Sequence, residues 1–121
     1  TILVAAAGND GPRAAPVYPA AYNGVIAVTA IDSAGKLYRR ANRGDYVDFA
    51  APGVDLGTAA ATQTRRASRG QSGTSYAAPF VTAALAVALS REGAQAKTVE
   101  ASLRTSAKDL GEPGRDREFG W

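Results

Sequence analysis

The sequence predicts an α/β fold in which helices pack on a mostly parallel sheet, and three observations lead to this prediction. Short apolar runs alternate with turn-forming residues, at residues 1–7, 25–31 and 46–51. A longer apolar run follows Pro79 and exceeds the length of a typical strand. A last stretch, residues 98–110, places apolar side chains at helical spacing.

The short runs predict strands. Residues 1–7, TILVAAA, predict a buried strand that stops at the turn-forming residues 8–12, GNDGP. Residues 25–31, VIAVTAI, predict the clearest strand, because a continuous β-branched apolar run is typical of a parallel strand covered on both faces. Residues 46–51 predict a third strand, ended by Pro52 and Gly53. Residues 56–72 predict a hairpin with a polar tip.

The long apolar run predicts a helix that begins after Gly73 and ends by Arg91. Because no side of this helix is polar, we expect it in the middle of a core. Gly93 is the predicted C-cap.

A second, amphipathic helix is predicted to begin at Thr98, as its N-cap, and to lie on the outside of the fold. Its apolar face carries Val99, Leu103 and Leu110. Its exposed face carries a ladder of charges at i, i+4 spacing, formed by Glu100, Arg104 and Lys108.

Composition narrows the class of protein. The chain of 121 residues is 45% hydrophobic and 21% charged, which suits one globular domain. Its net charge of +3 requires neither a nucleic-acid nor a membrane partner. There is no cysteine, hence no disulfide or thiol chemistry, and no apolar run that predicts a membrane span. There is also no histidine to act as a general base.

Two polar residues have both a structural and a functional interpretation. Ser75 lies at the start of the predicted core helix, where a serine is often only a cap. A hydroxyl there also meets unpaired backbone N–H groups and the positive end of the helix dipole, which suit a developing negative charge. Asn9 follows the first strand, where asparagine is commonly a turn residue.

Three segments resemble the subtilisin-like serine proteases. GTSYAAPFV, at residues 73–81, resembles the serine signature of that family, although Phe80 stands where the family usually has histidine. VAAAGNDGP, at residues 4–12, resembles the oxyanion-hole segment, and VDFAAPGVDL, at residues 47–56, resembles the Ala-Pro-Gly segment. They occur in the family's order and cover only the C-terminal half of its catalytic domain, which we expect residues 1–121 to form.

The resemblance implies a partial subtilisin-like three-layer fold, with a buried helix that bears the nucleophile and an outer amphipathic helix. It implies that Ser75 is the nucleophile, and that the Asn9 side-chain amide and the Ser75 backbone N–H bind the oxyanion. It also implies that substrate contacts come from Ala7, Gly8, Asp10, Val17 and Thr74. Val17, where many members have glycine, would favour a small substrate side chain, or it merely packs.

Some members of the family bind a cation, and the matching positions here are Ala20, Tyr22, Val25 and Asp48. Hard cations need six or more oxygens, and only one carboxylate is present in this set. We therefore expect no cofactor except a possible structural calcium or monovalent cation.

Two basic clusters are interpreted as solvated faces. They consist of Arg39, Arg40 and Arg43, and of Arg65, Arg66 and Arg69. Because no aromatic platform is interleaved with them, we do not expect nucleic-acid binding.

The resemblance implies a serine endopeptidase, but the family's catalytic aspartate and histidine precede the oxyanion segment and are not in this chain. We expect the isolated chain to be inactive, and to be covered by the N-terminal half of the same domain or by a second copy. Phe80, Leu85 and their apolar neighbours are the expected contacts. The alternative is a pseudoprotease that binds peptides or partner proteins. Secretion, or a periplasmic location, is implied by the family alone.

Overall fold

The computed structural model describes residues 1–57, 70–91 and 93–121. It contains three strands, β1 (Leu3–Ala6), β2 (Val25–Ile31) and β3 (Val47–Pro52), followed by two helices, α1 (Thr74–Leu89) and α2 (Ala96–Ser106). The strands form one parallel sheet in the order β1-β2-β3. The predicted α/β arrangement is confirmed.

Strand β2 is the centre of the sheet and spans the predicted residues. Its five inner residues are buried, as expected for a strand with a neighbour on each side and cover on both faces. Strand β1 is shorter than predicted and is less buried, because among the described residues it pairs with β2 alone. Its Leu3 is exposed, so the prediction of a buried first strand is wrong at this end.

The core lies between the sheet and the helices. One face of β2 and β3 contributes Ile26, Val28, Ala30, Phe49 and Ala51. Ala77, Val81 and Leu85 of α1 pack on this face, and α2 adds Val99. The sheet and the two helices thus form the predicted α/β arrangement, with the residues of both helices in one cluster on this face. Burying each large apolar side chain contributes about 1.5–3 kcal/mol, which holds α1 in place.

Helix α1 is buried on one side in this chain, and the cover predicted for its other side stays a prediction. Its buried residues recur at helical spacing on the sheet-facing side and are Thr74, Ala77, Val81 and Leu85. Leu85 is 3% exposed because the sheet of its own chain covers it, so the expectation that another chain buries it is wrong. Phe80 and Val87, on the outer side, are 48% and 64% exposed.

The helix caps lie at residues other than those predicted. Helix α1 ends at Leu89, with Ser90 rather than Gly93 as the C-cap. Helix α2 begins at Ala96 with Gln95 as its N-cap, so Thr98 lies inside the helix.

Helix α2 ends at Ser106, before Leu110 and Lys108, so the predicted ladder is reduced to the Glu100–Arg104 pair. The base of the predicted hairpin is present, since Leu56 and Gln71 exchange backbone hydrogen bonds of 2.9 and 2.7 Å. Its tip, with Arg65, Arg66 and Arg69, lies outside the described residues. Within the described part of the chain, neither helix has the length and apolar character needed to cross a bilayer.

Candidate active site

The N-terminus of α1 approaches the sheet closely. The backbone N–H of its N-cap, Gly73, donates to the carbonyl of Gly53 at 2.8 Å. A β-carbon at Gly53 would lie 2.6 Å from the Ala30 β-carbon and 3.0 Å from that of Ala77, so only glycine allows this approach. The first turn of the helix is thereby held beside the loop that follows β1, which we call the Asn9 loop (residues 7–17).

The side chain of Asn9 is bonded to the first turn of α1. Its Oδ1 atom accepts hydrogen bonds from the backbone N–H of Thr74 at 2.9 Å and from the Thr74 hydroxyl at 3.1 Å. The same hydroxyl accepts from the backbone N–H of Gly8 at 3.1 Å. Because a backbone N–H can only donate, Oδ1 and not Nδ2 must face it, and this fixes the orientation of the amide. The Nδ2 group is left without a hydrogen bond among the described residues.

Ser75 follows Thr74 on this turn and is exposed. Its hydroxyl and its backbone N–H have no hydrogen-bond partner in the described part of the chain, and the N-cap position is Gly73, so Ser75 does not cap the helix. The first turn carries no acidic side chain that would neutralise the helix dipole. An anion beside Ser75 would therefore meet unpaired N–H groups and a positive potential.

The residues predicted to contact substrate differ in burial. Ala7 and Thr74 are fully buried, so their side chains do not reach the surface and only their backbone could contact a peptide; their substrate role stays a prediction. Asp10 is exposed at the edge of the Asn9 loop. Gly8 has φ +108°, and a β-carbon there would lie 3.0 Å from the Val17 side chain and would overlap Asn42. Val17 therefore packs under Gly8.

Sequence reasoning missed Asn42 and Tyr46, both of which support the Asn9 loop. Asn42 is fully buried and bonds to Gly8 and Asp10, the two residues that flank Asn9. The Tyr46 hydroxyl donates to the carbonyl of Ala7 at 2.6 Å. Asn42 lies in a polar, arginine-rich stretch, and nothing in a single sequence separates it from an ordinary loop asparagine.

Burial raises the pKa of Tyr46 above its usual value, although hydrogen bonds from the Asn42 side chain and the Val17 backbone act in the opposite direction. Tyr46 therefore stays a neutral hydroxyl and a hydrogen-bond donor at neutral pH. It contacts Ala7 and Val17, which lie at the two ends of the Asn9 loop.

Asp48, predicted as a cation ligand with Ala20, Tyr22 and Val25, already has partners. Its Oδ2 atom accepts from the backbone N–H of Ala27 at 3.0 Å, and Oδ1 pairs with Arg115 at 3.0 Å. Burial raises the pKa of Asp48, and the Ala27 hydrogen bond and the Arg115 charge partly offset this effect. The cation site stays a prediction, and the carboxylate it needs is engaged elsewhere. Among the described residues, no three histidine, cysteine or carboxylate side chains cluster as a metal site requires.

Comparison with known proteins shows which family this chain resembles. A family model described as "Subtilase family" matches residues 1–121. Minor extracellular protease Epr of Bacillus subtilis (strain 168) is 37% identical over 121 residues, which cover 99% of this chain and 18% of that protein. Thermitase of Thermoactinomyces vulgaris is 36% identical over 114 residues, which cover 94% of this chain and 39% of that protein.

A solved structure, described as the crystal structure of a lanthipeptide protease, has the same fold. It matches with a TM-score of 0.78 and 27% sequence identity, over 98% of this chain and 46% of that one. The chain thus spans less than half the length of each of these relatives.

Proposed function

The chain belongs to the subtilase family of serine proteases, and from this premise we propose that the protein carrying it is a serine endopeptidase whose nucleophile is Ser75. In this proposal the Ser75 oxygen attacks the carbonyl carbon of a peptide bond while its proton passes to a base. The carbonyl oxygen becomes an oxyanion. The intermediate then collapses and expels the amine, which receives this proton from the base. Water finally hydrolyses the bond between the acyl group and Ser75.

The oxyanion is bound by two donors in this proposal. One is the Nδ2 group of Asn9, and the other is the backbone N–H of Ser75. The observation that carries the proposal is the pair of hydrogen bonds from Thr74 to Asn9 Oδ1, at 2.9 and 3.1 Å. They turn the donor end of the amide away from Thr74 and leave it unpaired, as an oxyanion donor must be before substrate arrives.

The base must come from outside residues 1–121, since these contain no histidine. We therefore propose that the isolated chain does not hydrolyse peptides, and that a complementary segment covers it. Among the described residues, two features support such a partner. The outer edge of β1 is unpaired, and the outer side of α1 exposes Phe80 and Val87. A partner strand on β1 with apolar side chains over α1 would cover both.

Secretion of the whole protein is part of the proposal. It is supported by relatives that are named as extracellular proteases, in Bacillus subtilis and in Natrialba magadii.

The test uses the whole protein with Ser75→Ala and Asn9→Ala, peptide hydrolysis and a serine-directed phosphonate probe. Ser75→Ala should abolish both turnover and labelling. Asn9→Ala should lower kcat with little change in KM; for a protease of this same family the loss is about 10²–10³-fold. Full activity of the Ser75→Ala protein would refute the proposal.

A non-catalytic peptide-binding protein of the same fold is the second candidate; it would carry Ser75 and Asn9 but have no base elsewhere in the whole protein to take the serine proton. The same probe separates the two functions. A folded whole protein that binds peptides, but whose intact Ser75 is neither labelled nor active, would establish the second.

A further inference from the structure

Besides its contact with α1, the Asn9 loop is hydrogen-bonded to one buried residue, Asn42. The backbone N–H of Asn42 donates to the carbonyl of Gly8 at 3.0 Å, and its Oδ1 atom accepts from the backbone N–H of Asp10 at 2.8 Å. Asn42 thus bonds to the residue before Asn9 and to the residue after it. Its Nδ2 group reaches the carbonyl of Ala15 at 3.5 Å, further along the same loop.

Tyr46 fastens the same loop at its start. Its hydroxyl donates to the carbonyl of Ala7 at 2.6 Å. The Asn42 side chain and the Val17 backbone lie close enough to this hydroxyl to lower its pKa. Asn42 and Tyr46 therefore hold the same loop.

We infer that Asn42 and Tyr46 are positioning residues for the oxyanion donor: they hold the backbone on both sides of Asn9 so that its amide keeps a fixed place beside Ser75. This inference rests on the proposed function. The contacts of Asn42 and Tyr46 would hold Asn9 in addition to its hydrogen bonds with Thr74. The two residues lie outside α1 and outside the segment that bears Asn9.

The physical reason is the precision that an oxyanion donor requires. A donor acts from about 2.7–3.1 Å, and a displacement of about 1 Å at a reacting centre can cost on the order of 10²-fold in rate. Asn9 is only partly buried, so packing alone does not fix it. Neither Asn42 nor Tyr46 belongs to the apolar cluster between sheet and helices, so their contacts act on the loop more than on the core.

The test is a double-substitution cycle in the whole protein. Asn42→Ala should lower kcat about tenfold to a hundredfold with KM within about threefold of the parent. In the Asn9→Ala background, where no amide remains to be positioned, the same change should lower kcat by less than about threefold. Asn23→Ala, at an exposed turn asparagine, is the matched control and should change neither constant.

Tyr46→Phe is the second variant for this cycle, and it disturbs the packing less because it keeps the ring and removes only the hydroxyl. It should show the same dependence on Asn9, and it keeps the inference testable even where Asn42→Ala does not fold. An equal loss of kcat with and without Asn9 for both variants would show a purely structural role and overturn the inference, as would no loss at all. Failure of the proposed function gives a different result, namely that Asn9→Ala alone leaves kcat unchanged.

Discussion

The side-chain oxygen of Asn9 lies 2.9 Å from the backbone nitrogen of Thr74, the first residue of α1. An acceptor at this position satisfies one of the unpaired N–H groups of the helix and lies at the positive end of its dipole. The contact stabilises the start of α1 and also decides which way the amide faces. Structure and proposed chemistry therefore depend on the same hydrogen bond.

The Thr74 hydroxyl should be necessary for this arrangement. Thr74→Val keeps the shape of the buried side chain but leaves the Gly8 N–H and one bond of Asn9 Oδ1 without a partner. The Asn9 amide is then held by one hydrogen bond from Thr74 instead of two, and because a donor displaced by about 1 Å can cost on the order of 10²-fold in rate, we expect kcat on a peptide substrate to fall about tenfold to a hundredfold. Thr74→Ser retains the hydroxyl and should stay within about threefold of the parent. Equal activity of the valine and serine variants would contradict the prediction.

Val17 should restrict the substrate pocket. Its side chain packs under Gly8, so Val17→Gly should open space beneath the Asn9 loop. We expect kcat/KM for peptides with a large aromatic residue before the scissile bond to rise about tenfold or more relative to alanine peptides. Val17→Thr preserves the volume and is the control. An unchanged preference in the glycine variant would show that Val17 only packs.

Arg115 should stabilise the protein in a pH-dependent way. It pairs with Asp48, whose pKa is raised chiefly by burial and lowered in part by this guanidinium. Arg115→Met should therefore raise the pKa of Asp48 further. A carboxyl group whose pKa is higher in the folded than in the unfolded chain stabilises the folded state at low pH. This stabilisation is fully present below the pKa of the unfolded chain, near 3.8, and is lost as the pH rises through the pKa of the folded chain.

The free energy of unfolding that Arg115→Met loses relative to the parent should consequently be largest near neutral pH and should shrink towards pH 4. We expect about 1–2 kcal/mol at neutral pH, below the 3–5 kcal/mol of a fully buried pair because Arg115 is partly exposed. Urea unfolding of the whole protein at several pH values measures it, and Arg115→Lys, which keeps the charge, is the control. A deficit independent of pH would exclude Asp48 as its source.

The isolated chain should associate through the outer side of α1. Phe80 and Val87 are exposed there and are seven residues apart, so they lie on one face of the helix. Sedimentation at low concentration should show a mass above that of one chain, and Phe80→Ser with Val87→Ser should reduce it. Ala86→Ser, elsewhere on the exposed surface of α1, should not. A compact monomer of the unsubstituted chain would contradict the prediction.

The parts of the fold that depend on local pattern were predictable. The apolar run of β2 and the length of α1 follow from periodicity, because burial selects side chains along each element. The ends of the elements were not predictable, since Gln95 caps α2 without a side-chain hydrogen bond and Ser90 caps α1 in place of the glycine that commonly follows a helix. Ser75 and Asn9 were identified by resemblance to a family motif.

Asn42 could not have been found in the same way. Its partners, Gly8 and Asp10, are more than 30 positions distant in sequence, and only the folded chain brings them together. The burial of Leu85 was misjudged for a related reason: a helix without polar residues does not reveal which of its sides faces the sheet. Tertiary contacts of this kind leave no local periodicity.

The hydrogen bond from the Gly8 N–H to the Thr74 hydroxyl joins positions 66 residues apart, and the two bonds from Thr74 to Asn9 span 65. On the ribosome Asn9 emerges well before Thr74 and Ser75 do, so the contact that orients the Asn9 amide cannot form until α1 has been synthesised. Closing a loop of this length also costs conformational entropy before the contact stabilises the chain. If the proposed function holds, a nascent polypeptide therefore keeps its nucleophile and its oxyanion donor apart until α1 docks on the sheet.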